Sequence, residues 1–331
     1  MDEGWTGVRP FRFIDEIFAV TRLMEQRPEG ISSQEIRNEL LLFRMNRDER
    51  RRKAIQRTVS LRMKIRKRQV MLTKAEQFTR VLRATGLARG EKGIWFGTQL
   101  SHKLSELLKI DRWKASAFLL ERLLTSSYQT YWLFLEKLFQ VKRFVIPPEF
   151  VKRDQPLKTY LNTHGFPIDL WSFFIMRDLF YDFGLMNYLI DESGEHWFAL
   201  YDISPESSSP SYRFSVRGQE GRYLHFWRNV SHEDFALGLV KVYLRLTDGH
   251  WNRIVDLIKL RELSSESLKI SEQEFNQMLQ EAVEKSSKYQ IVLSAGALDM
   301  NGRSGYLIKA LSLPTGRLRL PYRFARIDLR H

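Results

Sequence analysis

A chain of 331 residues with 43% hydrophobic and 28% charged side chains has an ordinary soluble composition, not that of a disordered polyelectrolyte, and has room for two or three domains. It contains no cysteine, which excludes disulfides, thiolate nucleophiles and Cys-ligated zinc. The net charge of +14 is uneven: residues 1–109 hold 24 basic and 13 acidic side chains, so a basic N-terminal module precedes a nearly neutral body.

The opening MDEGWTGVRPFRF lacks the apolar core of a signal peptide. The run Tyr131 to Phe139 is interrupted by Glu136 and Lys137 and is too short to span a bilayer, so a cytoplasmic location is the expectation. Residues 11–27 place Phe13, Ile14, Ile17, Phe18, Val20, Thr21 and Met24 on one face of an amphipathic helix that Pro28-Glu29-Gly30 ends. Ser32, three residues before Glu35, forms a capping box for a second helix, SSQEIRNELLLF. A helix, a tight break and a capped helix begin a helix-turn-helix unit.

The stretch Arg44 to Arg68, RMNRDERRRKAIQRTVSLRMKIRKR, then carries twelve Lys or Arg against Asp48 and Glu49. Read as a helix at about 100° per residue, Arg50, Lys53, Arg57, Lys64 and Arg68 fall within roughly 60° of one another. Ala54, Thr58, Leu61 and Ile65 form the seam beside them. A strand competes, because Val59, Leu61, Met63 and Ile65 alternate with polar residues, but the absence of Gly and Pro favours the helix. Such charge density calls for a row of phosphates rather than a small ligand. The candidate nucleic-acid contacts here are Arg44, Arg47, Arg50, Arg51, Lys53, Arg57, Arg62, Lys64, Arg66, Lys67 and Arg68, followed by Lys74, Arg83, Arg89 and Lys92.

A third helix, Lys74 to Leu87, turns Phe78, Val81 and Leu82 inward and closes near Gly86. ARGEKGIWFGTQ reads as a hairpin with Gly90 and Gly93 at its turn, and Gln99 to Lys109 as a helix. The run VLRATGLARGEKGIWFGTQLSHKLSELL resembles the recognition-helix end and wing of winged-helix DNA-binding domains. These commonly read helix, L-x-x-x-G-L, two-stranded wing, and a polar T-x-x-G-like cap opening a helix. Thr98 stands where that cap begins, while Ser101 or His102 replaces its glycine. The resemblance covers about residues 10–109 and implies DNA binding through a helix in the major groove and a basic wing.

Residues 111–146 read as an apolar helical linker or dimerisation element rich in Trp113, Phe118, Leu119, Leu120, Tyr131, Trp132, Phe134, Leu135, Leu138 and Phe139. Residues 147–205 repeat the grammar of the first unit: a short helix, a longer one closing at Gly184, and a hairpin of Met186 to Ile190 and His196 to Tyr201. The winged-helix resemblance extends there more weakly, with Asp191, Glu192 and Glu195 on a wing that would repel phosphate. After the polar loop 204–211 comes a hairpin bearing Arg217, Arg222 and Arg228. Residues 206–331 read as a C-terminal α+β domain that is a candidate third winged helix. Its expected helices are SHEDFALGLVKVYLRLTDG, HWNRIVDLIKLREL and a helix capped near Ser271. Its expected strands are YQIVLS and a following run paired across Asn301-Gly302, with Arg303, Lys309, Arg317 and Arg319 on the edge.

The histidines 102, 164, 196, 225, 232, 250 and 331 show no i, i+3 or i+4 pair, so no metal site is expected. No phosphate-binding loop, dinucleotide fingerprint or G-x-S-x-G elbow occurs, so no cofactor and no catalytic residue are expected. Asp182, Asp191 and Glu195 lie near a hairpin without a following E-x-K, and Glu220 is followed by Gly221 and Arg222.

The fold expected is mainly α with short β-hairpins, as tandem winged-helix-like domains joined by a helical linker. The function expected is non-enzymatic binding of double-stranded DNA, as an accessory subunit of a DNA-processing or antiviral-defence complex. Its protein partner or second copy would sit on the aromatic-rich middle and C-terminal regions. A restriction-type metal-dependent nuclease and a dimeric transcription regulator are the alternatives.

Overall fold

The computed structural model describes residues 14–40, 42–43, 74–91, 93–127, 129–141, 143–151, 154–190, 196–200, 212–217, 223–285, 288–294, 311–312, 321–322 and 324–329. The fold is mixed α+β, with small antiparallel sheets of two or three strands. Among the described residues no helix is long and apolar enough to cross a membrane. The chain divides into two compact units: Met1–Lys142 with Pro148–Phe183 and Val216–Tyr223, and Arg143–Pro147 with Gly184–Ser215 and Leu224–His331.

In the first unit, α1 (Ile14–Gln26) buries Ile14, Ile17, Phe18, Val20, Thr21 and Met24, as its periodicity requires, and also Glu16. Strand β1 (Ile31–Ser32) leads into α2 (residues 33–40) through the expected capping box. Glu35 N donates to Ser32 Oγ at 3.2 Å, and Ser32 N donates back to Glu35 Oε2 at 2.8 Å. Helix α3 (Lys74–Ala84) is followed by β2 (Ala88–Glu91), β3 (Ile94–Gly97), α4 (Gln99–Ile110), α5 (Arg112–Leu124) and α6 (Thr130–Val141). The sheet order is β1-β3-β2.

After β4 (Arg143–Ile146), the first unit resumes with α7 (Pro148–Val151), α8 (Asp154–Thr163) and α9 (Leu170–Asp182). Its second core is aromatic. Phe134 of α6 lies 5.4 Å from Phe166, 5.6 Å from Phe173 and 5.7 Å from Phe180, each a favourable ring–ring spacing.

The second unit holds β4, β5 (Met186–Ile190) and β6 (His196–Leu200), in the order β4-β6-β5. The hairpin β7 (Tyr212–Arg217) and β8 (Tyr223–Arg228) follows. Next come α10 (His232–Leu246), β9 (Val255–Asp256), α11 (Leu257–Leu268), α12 (Glu272–Lys285), β10 (Tyr289–Ser294), β11 (Leu311–Ser312), β12 (Pro321–Tyr322) and β13 (Phe324–Leu329). Phe235, Leu239, Tyr243, Leu260, Phe275, Leu279 and Ile327 centre the core of this last stretch.

Among the described residues one element order recurs three times along the chain: helix, strand, helix, helix, strand, strand, with the last strand in the middle of the sheet. It runs α1-β1-α2-α3-β2-β3, then α6-β4-α8-α9-β5-β6 with the short α7 after β4, then α10-β9-α11-α12-β10-β13 with the separate β11-β12 pair between the last two strands. Thus α6 and β4, read from sequence as the end of a linker, occupy the first two places of the second copy. Strand β4 pairs with β6 from Arg143↔Ala199 to Ile146↔His196.

Two local expectations are corrected. Gly90 is not at the hairpin turn but inside β2, opposite Trp95; Gly93, at φ +81°, makes the turn. HWNRIVDLIKLREL is not helical from its start: the helix begins at Leu257, because the Asp256 side chain accepts from Ile258 N and Lys259 N as an N-cap. Strand β10 pairs with β13, Tyr289↔Leu329 to Ser294↔Phe324, and the expected pairing across Asn301-Gly302 lies outside the described residues. Alternation shows which face of a strand is buried but does not choose its partner among several apolar runs.

Candidate nucleic-acid interface

Helix α3 has two unlike faces. Phe78, Val81 and Leu82 are buried, while Arg80 and Arg83, three residues apart and opposite them, are exposed. The helix ends where Leu87 N donates to Leu82 O at 2.8 Å and Gly86 adopts φ +74°, a left-handed close that suits glycine. This turn feeds β2 directly, placing Arg89 on the hairpin, exposed, with its guanidinium 5.6 Å from the Phe96 ring centre.

Two devices hold hairpin and helix together. Trp95 Nε1 donates to Ser33 Oγ at 3.0 Å, and its ring lies over Gly90, where a Cβ would come within 2.7 Å of it. Thr98 Oγ1 donates to Gly86 O at 2.6 Å and accepts from Leu100 N at 3.2 Å. Ser101, standing where the winged-helix pattern has glycine, completes a reciprocal cap by accepting from Thr98 N at 2.8 Å. Arg122 of α5 donates to Thr85 O at 3.0 Å, fixing the end of α3 from the other side.

The charges on this surface differ from those on neighbouring helices. Arg80, Arg83 and Arg89 have no carboxylate partner among the described residues. By contrast Arg27 pairs with Glu35 at 2.5 Å and Arg112 with Asp15 at 2.6 Å. Lys109 holds Glu106 at 2.8 Å and Glu25 at 3.0 Å. Hydrogen bonds from Ser32 hold the Glu35 carboxyl below its usual range, and the Lys109 ammonium does the same for Glu25. Glu106 and then Glu25 raise Lys109.

Glu25, His102 and Glu106 bring ligand atoms within 4.8 Å of one another, a grouping the histidine spacing did not reveal because Glu25 is on α1. The Lys109 ammonium already bridges the two carboxylates, so the cluster is balanced by the chain's own cation.

Of the residues named from sequence, Arg83 and Arg89 meet on this surface and Lys74 opens α3. Arg44, Arg47, Arg50, Arg51, Lys53, Arg57, Arg62, Lys64, Arg66, Lys67, Arg68 and Lys92 lie outside the described residues. Sequence reading missed Arg80, although its three-residue spacing from Arg83 was there to be used.

The counterparts of α3 in the other two copies are unlike it. Helix α3 carries Lys74, Arg80 and Arg83 against Glu76, net +2; α9 carries Arg177 against Asp178 and Asp182, net −1; α12 carries Lys285 against four glutamates, net −3. Helix α9 has no exposed side chain among the described residues. On α12, Glu274 is held by Arg213 of β7 at 2.7 Å and Glu281 by His232 at 3.1 Å, while buried Glu272 faces buried Arg261 at 3.7 Å.

Comparison with family models, curated proteins and solved structures finds no match for this chain.

Proposed function

We propose that this chain is a double-stranded DNA-binding protein built from tandem winged-helix-like domains, with the first domain as the DNA-contacting one. The observation that carries the reading is the group Arg80, Arg83 and Arg89, exposed on adjoining α3 and β2 and without carboxylate partners among the described residues. Cations that meet no described carboxylate, on a surface where others nearby do, suit phosphate. The adjoining sequence, twelve Lys or Arg between Arg44 and Arg68, adds to the same side of the argument. The order helix-strand-helix-helix-strand-strand with a β1-β3-β2 sheet supports the winged-helix assignment, with α3 in the place of the groove-entering helix. The second domain, whose corresponding helix is covered, and the acidic α12 face of the third serve protein association instead.

The test is a salt titration of the full chain on duplex DNA beside the variant Arg80→Gln/Arg83→Gln/Arg89→Gln. Wild type should bind with steep salt dependence, and the variant should lose roughly 0.9 of log–log slope per phosphate contact, about 2.7 if all three touch the backbone. The loss should be alike on unrelated sequences if these are backbone contacts. An unchanged slope, or no binding by wild type, would overturn the reading.

A further inference from the structure

The connection between first helix and first strand differs between the outer copies. In the first copy it is residues 27–30, where Arg27 is neutralised by Glu35. In the third it is residues 247–254, longer and held from several directions. Thr247 Oγ1 donates to His250 O at 2.6 Å, and Gly249 N donates to Leu244 O at 2.7 Å. The buried Tyr243 hydroxyl clamps one residue of the loop twice, donating to Arg253 O at 2.7 Å and accepting from Arg253 N at 2.9 Å. Asp248 and Asn252 sit at φ +51° and +62°, left-handed conformations that non-glycine residues keep only when their surroundings impose them. The Asn252 amide faces Asp328, which also pairs with Arg326 at 3.1 Å.

This rigid frame presents His250, Arg253 and Ile254 to solvent, Ile254 at 68% exposure. Beneath them runs a row of rings: Tyr243 to Trp251 at 6.3 Å, and Trp251 stacked on Tyr289 at 6.2 Å. Lys288 lies 5.7 Å from the Tyr289 ring centre. Arg253 and Lys288 are both exposed and have no carboxylate partner among the described residues. The nearest acids on the loop and its strands are otherwise engaged or turned to other work: Asp256 caps α11 and Asp328 holds Arg326, leaving Asp248 exposed.

We infer that this loop and Lys288 form a second phosphate-contacting surface for duplex DNA, on the third domain and away from its acidic α12. The inference rests on the DNA-binding reading above. A cation held on an over-determined backbone loses little conformational freedom on binding, which is how a small number of charges becomes an effective contact. The exposed aliphatic and imidazole side chains beside Arg253 suit the sugar edge of a backbone.

The experiment is the full chain carrying Arg253→Gln/Lys288→Gln, titrated with salt on the same duplexes as wild type and the α3–β2 triple variant. Both substitutions are at exposed positions, so the melting temperature should stay close to that of wild type. The salt slope should fall by up to roughly 1.8, that is 0.9 for each lost contact. A slope unchanged in this variant but reduced in the triple variant would overturn the loop site and leave the α3 interface standing. The reverse would overturn the α3 interface alone. No duplex binding by wild type would overturn both, and retained DNA binding with lost affinity for polyglutamate would assign the loop to an acidic protein instead.

Discussion

The indole N–H of Trp95 donates to the hydroxyl of Ser33 at 3.0 Å, joining β3 to the first turn of α2 across 62 residues of sequence. The bond sets the tilt of the hairpin that carries Arg89. Ser33→Ala leaves a part-buried indole N–H without its acceptor and should cost about 1–2 kcal/mol in urea unfolding. DNA affinity should fall while the salt slope stays put, because no phosphate contact is removed. A slope that dropped with the affinity would mean Ser33 itself touches the backbone.

Thr98 ties two elements with one side chain, capping α4 and donating to Gly86 at the end of α3. Thr98→Ala should destabilise the fold by about 1–2 kcal/mol, at the upper end for an N-cap because the Gly86 bond goes too. Thr98→Ser keeps the hydroxyl and should restore most of that loss. Equal destabilisation by both variants would show that the methyl group, not the hydroxyl, is what matters.

Arg261 and Glu272 face each other at 3.7 Å with side-chain exposures of 2% and 0%. Glu272→Ala removes the carboxylate that faces a buried guanidinium and should cost about 3–5 kcal/mol. The double variant Arg261→Met/Glu272→Leu should be far less damaging, since burying neither charge avoids the desolvation penalty. Chemical denaturation of the two proteins side by side decides this. A double variant as unstable as the single would show that Arg261 is needed for its bond to Asn276 as well.

The Glu25–Lys109 pair makes a pH prediction whose sign is fixed by the direction of the shift. Lys109 lowers the Glu25 carboxyl below its ordinary value of 4.5, so the stabilisation is fully present above that value. It is lost as pH falls through the lowered value in the folded state. Wild type should therefore melt above Glu25→Gln at pH 6 to 7, and the two should converge in acid. A gap that widened on acidification would contradict the assignment.

Much of the local architecture was legible in the sequence. The Ser32–Glu35 box, the left-handed closes at Gly86 and Gly184, and the buried stripe of α1 all arise from residues within one or two turns of each other. Helix propensity, capping and side-chain period act over that range, so residue types and spacing are enough. The start of α11 was legible too, in Asp256, and was missed because the apolar residues around Val255 continue across it.

Tertiary structure alone decided the rest. Which strand β10 pairs with depends on closing 29 residues of intervening chain, and the alternation of Tyr289 to Ser294 is compatible with either partner. The three-fold recurrence of one sheet order became visible only when β4, β9 and β13 found their neighbours. The same holds for charge. Sequence supplies the sign of every side chain, but Arg112 meets Asp15, and Lys109 meets Glu25, across elements far apart in the chain, while Arg80, Arg83 and Arg89 meet no carboxylate among the described residues. A formal charge is a property of one residue, whereas its neutralisation is a distance between two, and only the folded chain sets that distance.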